Sequence, residues 1–134
     1  MEELKQGFSE DAEMLITFDD LYKRVKTWEN FLNRYPDALF IEDANYFYSM
    51  YLSTLLTGMD NSQIFNYASN SLLPEIKLLY EKIIQEDKDS KTSRIISSYY
   101  SLLEQHNFKT NDDINKFLEE NNLSTMLAVQ PTLR

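Results

Sequence analysis

The chain has 134 residues, a length at which folding removes roughly two-thirds of the unfolded surface from water. Its 43% apolar and 13% aromatic content excludes a disordered chain, while two Gly, no Cys and one His exclude a phosphate-cradling glycine loop, a thiolate nucleophile, a zinc cluster and a histidine metal set. A formal net charge of -9 disfavours nucleic-acid phosphates and anionic lipid heads as unassisted partners.

Few Gly and Pro, with apolar residues at three- and four-residue steps, predict an all-α fold with no hairpin turn signal. Glu3 to Ile16, with Phe8, Met14, Leu15 and Ile16, is expected either to form a short helix behind Ser9-Glu10-Asp11 or to fray. Phe18-Asp19-Asp20 opens a helix with the stripe Leu21, Val25, Trp28, Phe31 and Leu32, which Tyr35-Pro36-Asp37 stops. Ile41 to Thr57 is the next helix; Ala44, Phe47, Tyr48, Tyr51, Leu52 and Leu55 face the core, and Gly58 suits a left-handed end. Asp60-Asn61-Ser62 reads as a cap for a short helix over Gln63 to Ala68.

Pro74 to Glu86 follows, with Pro in the first turn and Ile76, Leu79, Tyr80, Ile83 and Ile84 as its stripe. Asp87-Lys88-Asp89-Ser90 is read as a turn, since its sixth and twelfth positions, Thr92 and Ser98, lack the Gly and Glu of a calcium loop. Thr92 to Gln105 carries Ile95, Ile96, Tyr99, Leu102 and Leu103, and Thr110 to Asp113 caps a last helix with Ile114, Phe117 and Leu118. Leu123, Met126, Leu127 and Val129 are expected to dock as a final turn, with Pro131 ending order.

Shifting the chain by 52 positions against itself aligns Trp28 to Leu32 with Tyr80 to Ile84, Ala44 with Ile96, Phe47 with Tyr99, Tyr51 with Leu103 and Phe65 with Phe117. This predicts one helical domain over 1–134 built from two units, 22–70 and 74–122. Phe31-Leu32-Asn33-Arg34-Tyr35-Pro36-Asp37, followed by a helix with Ala44 and Tyr48, resembles the inter-repeat junction of tetratricopeptide-like proteins. The resemblance spans Tyr22 to Leu118, with a 52-residue unit in place of 34 and Lys88-Asp89 where the second Pro would stand. It implies stacked antiparallel helical hairpins, about five or six helices in a short α-solenoid, and a concave face that grips partner segments.

Catalysis finds little to work with. His106 sits at a helix end, Glu104-Gln105-His106 has the wrong spacing for a bundle metal pair, and Asp19-Asp20, Glu42-Asp43 and Asp112-Asp113 read as first-turn acids. The expectation is a non-enzyme with no cofactor and no metal. Tyr35 to Tyr67 is rich in aromatics and has no Lys or Arg. There Glu42, Asp43, Asn45, Tyr46 and Met50 form a flank of the Ile41 helix that either lines a partner groove or lies under Phe65 and Tyr67.

These features predict an interaction or scaffold module that binds a protein or peptide segment, basic in character. An acidic inhibitor or immunity-type protein capping a basic site is the alternative, and a small-molecule sensor lined by Tyr and Met is a third class. No nucleic acid and no membrane insertion are expected, an unsealed end face allows a homodimer, and the N-terminus reads as cytoplasmic unless Met1 replaces a removed leader or anchor.

Overall fold

The computed structural model describes residues 9–10, 13–14, 17–37, 39–59 and 62–123. The fold is all-α, with five helices among the described residues: α1 (Phe18–Arg34), α2 (Ile41–Thr57), α3 (Pro74–Glu86), α4 (Lys91–Gln105) and α5 (Asp113–Glu120). No helix of the described residues is long and apolar enough to cross a membrane.

Local chemistry explains the helix ends. The Thr17 hydroxyl accepts from the Asp20 N–H at 3.0 Å, and Asp19 and Asp20 complement the helix dipole, so α1 begins where its orphan N–H groups find oxygen. Pro36 cannot continue the helix, and the Tyr35 N–H closes the last turn on Phe31. Gly58 ends α2 at φ 72° and ψ -164°, a region open essentially to glycine alone. The Ser90 hydroxyl accepts from the Ser93 N–H at 3.0 Å and starts α4 one residue before the expected Thr92.

Extended pairing appears at two places where a helix was expected. Of Glu3 to Ile16 the described residues are 9–10 and 13–14, where β1 (Ser9–Glu10) pairs antiparallel with β2 (Glu13–Met14); the rest of that expected helix lies outside the described residues. In place of the helix over Gln63 to Ala68, β3 (Gly58–Met59) pairs with β4 (Ser62–Gln63), and Phe65 bridges Leu72.

The side chain of Asn66 accounts for that second change. Its Oδ1 accepts from the N–H groups of Ala68 at 2.9 Å and Ser69 at 3.0 Å, folding an Asx turn that competes with helix, and Asn70 follows at φ 58°. The Leu72 N–H then donates to the Phe108 carbonyl at 2.7 Å, so this loop is tied to the end of α4. At the other end of the described chain Leu123 is buried, as expected; Met126, Leu127, Val129 and Pro131 lie outside the described residues.

Consecutive helices pack as pairs, α1 on α2 and α3 on α4, with α4 also touching α1 and α2 and α5 resting on α4. The stripes read from the sequence supply the core, including Leu21, Val25, Trp28, Tyr48, Leu52, Ile76, Ile83, Ile96, Leu103 and Leu118. From Tyr51 to Leu56 every residue of α2 is buried and only Thr57 is half-buried, so the carbonyls of Leu55 and Leu56 need donors from the protein. Two phenols supply them. Tyr80 of α3 donates to the Leu55 carbonyl and Tyr99 of α4 to the Leu56 carbonyl, both at 2.7 Å, while the Gly58 N–H takes Thr54. Tyr99→Phe leaves the Leu56 carbonyl buried without that donor, so urea unfolding should show a loss of about 1–2 kcal/mol with the helical signal of the native state unchanged.

Candidate functional site

The flank marked by Glu42, Asp43, Asn45, Tyr46 and Met50 lies on α2, where Tyr46 stands four residues after Glu42 and three after Asp43, and Met50 four after Tyr46, along one side. Glu42, Asp43 and Asn45 are exposed, and Tyr46 and Met50 are half-buried. The acids belong to the first turn, where the helix dipole favours them. Asn45 donates from Nδ2 to the Ile41 carbonyl at 3.0 Å. Tyr67 does not cover the flank, because it stands 90% exposed beyond the Asn66 turn, and Phe65 is half-buried against the core.

Aromatic packing fixes the flank to the interior. Tyr46 meets Phe47 edge-on at 5.6 Å, Phe47 stacks on Trp28 at 5.2 Å and on Tyr51 at 6.2 Å, and Trp28 meets Phe31 edge-on at 5.7 Å. Phe31 then touches Tyr35 at 5.3 Å, so a run of rings leads from buried Tyr51 to surface Tyr35, with Tyr46 as a branch. Offset and edge contacts of this kind add to simple burial and hold the rings in place.

Behind the rings lies a polar network that sequence reading passed over. Glu29 is 4% exposed, and its Oε1 accepts from Lys26 Nζ at 3.2 Å and from the Thr92 hydroxyl, while Oε2 accepts from the Lys91 N–H at 3.2 Å. The first turn of α4 has no acid of its own, so α1 supplies the carboxylate that its dipole and orphan N–H groups call for. Thr92 gives its proton to Glu29, so Tyr48 donates to Thr92 Oγ1 across 3.0 Å. Lys26 also reaches Asp87 at 3.2 Å; burial works against its charge, but its bonds to Glu29 and Asp87 and the field of Glu29 outweigh this and raise its pKa. Arg24 is buried nearby and donates to the Tyr51 hydroxyl at 3.3 Å. Both charges follow the helical step of the apolar stripe, Arg24 from Leu21 and Glu29 from Val25, which was the available signal.

Two clefts lie elsewhere on the described surface. One open cleft of about 590 Å³ is lined by Thr27, Asn30, Phe31, Asn33, Arg34 and Tyr35, and a second of about 390 Å³ lies among Thr57, Phe65, Tyr99, Thr110 and Ile114. Neither is lined by Tyr46 or Met50. His106 caps the end of α4 and its Nε2 lies 3.0 Å from Asp113 Oδ2, linking α4 to α5. Among the described residues no three His, Asp or Glu side chains form a metal-binding group. The chain matches no protein-family model, no curated protein and no solved structure.

Two outcomes follow from the network. Glu29→Ala strips the carboxylate from the start of α4 and should cost about 1.5–3 kcal/mol in urea unfolding, the scale of hydrogen bonds to a charged group. Burial pushes the Tyr48 phenol up to about 12 and holds Tyr80 and Tyr99 above the ordinary range as well. A raised acid pKa leaves stability complete below the unfolded value near pH 10 and removes it as pH climbs through the folded value, because the unfolded chain releases protons that the native state retains. The urea midpoint should therefore fall between about pH 10 and pH 12, ahead of phenolate absorbance from the buried tyrosines.

Proposed function

We propose that this protein is a non-enzymatic interaction or scaffold module of tetratricopeptide-like helical-repeat type, which binds a protein or peptide segment through the α2 flank of Glu42, Asp43, Asn45, Tyr46 and Met50. The observation that carries the reading is the make-up of that flank: exposed Glu42, Asp43 and Asn45 beside half-buried Tyr46 and Met50, rooted in a stacked aromatic run. Rigid tyrosine gives contact area at low entropic cost and methionine adapts to an irregular partner. The repeat is supported by the ends of α1 and α3 at Arg34 and Glu86, which match the 52-residue offset. Helical hairpins stacked in this way bury a continuous core and leave one face for partners.

A second reading draws on exposed Asp37, Glu42 and Asp43: an acidic inhibitor that covers a basic site by charge. The two separate in a crosslinking and pull-down comparison at low and high salt. For the module, a partner held by the wild type should be lost by Tyr46→Ala plus Met50→Ala, with binding weakened about tenfold or more and melting recorded alongside because Met50 is half-buried. Glu42→Gln plus Asp43→Asn, which removes the charge without reversing it, should weaken binding, with melting recorded alongside because both acids sit in the first turn of α2. Binding that ignores the Tyr46 and Met50 pair and vanishes with salt would instead support the inhibitor.

A further inference from the structure

Five large apolar side chains among the described residues are exposed, and three of them cluster where α1 turns into α2: Tyr35 at 51%, Leu39 at 89% and Phe40 at 66%. This corner projects. Lys26 meets Asp87 and Glu29 meets Lys91 and Thr92, so α1 beyond Glu29 and α2 before Tyr48 run on past the start of α4. Roughly one to two turns of each helix form a hairpin tip outside the α3 and α4 pair.

We infer that this tip is an apolar docking subsite, continuous with the α2 flank, for an amphipathic protein segment that carries Lys or Arg beside large apolar side chains. The inference rests on the reading of α2 as a partner-binding face and extends it by naming the partner's chemistry. Clustered apolar side chains mark contact sites, and the ring run from Tyr51 through Phe47, Trp28 and Phe31 holds Tyr35 in place before a partner arrives.

Charge selects the occupant. Asp37, Glu42 and Asp43 are exposed around Leu39 and Phe40, and from Tyr35 to Leu72 the sequence has no Lys or Arg; Arg34, at the end of α1, is the nearest cation in the chain. Anionic lipid heads would meet three carboxylates, and a second copy of this chain would bring the same acids to the contact. A segment with cations flanking apolar anchors satisfies both halves of the surface at once, the anchors fixing affinity and the cations fixing approach and orientation.

The test uses the whole chain and a synthetic amphipathic leucine and lysine peptide, with its leucine and glutamate counterpart as control, read by fluorescence anisotropy. The lysine peptide should bind about tenfold or more tightly than the glutamate peptide, and Leu39→Ser plus Phe40→Ser, which keeps the charge and removes only exposed side chains, should weaken it about tenfold with melting unchanged. Equal binding of both peptides, or binding untouched by Leu39→Ser plus Phe40→Ser, overturns the inference. If the peptide is lost only from Tyr46→Ala plus Met50→Ala, the α2 reading survives and the tip does not; if neither pair matters, both fall. Binding of the chain to phosphatidylglycerol vesicles that Leu39→Ser plus Phe40→Ser abolishes would assign the tip to lipid instead.

Discussion

The carbonyls of Leu55 and Leu56 lie in a fully buried run of α2 and must find donors within the protein, and the rest of this structure is arranged around that constraint. Helices α3 and α4 each bring a tyrosine to α2, Tyr80 to Leu55 and Tyr99 to Leu56, so the three helices meet at one hydrogen-bonded point. The same two rings lie edge-on at 6.1 Å, and Tyr99 also touches Phe117 of α5 at 5.3 Å. The phenol suits this place because its ring adds to the core while its hydroxyl reaches a carbonyl that an aliphatic residue would leave unpaired. No buried side-chain nitrogen or oxygen among the described residues lacks a partner.

The middle of α2, at Tyr48, is held by a different device. Glu29 places an anion against the start of α4, where the helix dipole and the free N–H groups stabilise it, and Lys26 offsets its charge. Through Thr92 and Tyr48 the same network reaches the inner side of α2, directly behind the flank that carries Tyr46 and Met50. Because α3 ends and α4 begins at this level, the α1 and α2 tip extends beyond both of those helices. The polar latch that joins the two hairpins therefore also determines which part of the first hairpin stays at the surface.

The proposed contact residues and the core residues of α2 lie on opposite sides of that helix. Tyr48, Tyr51, Leu52, Leu55 and Leu56 face inward, while Glu42, Asp43 and Asn45 face out and Tyr46 and Met50 sit at the boundary. The first-turn position of the acids gives them a local role in helix stability, so their presence alone does not define a binding site. The apolar exposure beside them at Leu39 and Phe40 is what local helix chemistry leaves unexplained.

Sequence by itself determined the helices wherever a local signal and a periodic stripe agreed. Gly58 and Pro74 bound α2 and α3 at the expected residues, because glycine tolerates positive φ and proline suits a first turn. The five-residue flank was legible as a set for the same reason, since helical spacing alone puts those positions on one side. Tertiary structure decided the rest. The stretch from Gln63 to Ala68 is not helical because Asn66 closes a local turn and Leu72 finds the Phe108 carbonyl from a distant element. Whether Tyr67 covers Tyr46 and Met50, where the phenols of Tyr80 and Tyr99 reach, and why buried Glu29 is tolerated all depend on residues brought together from far along the chain, which periodicity in one helix does not encode.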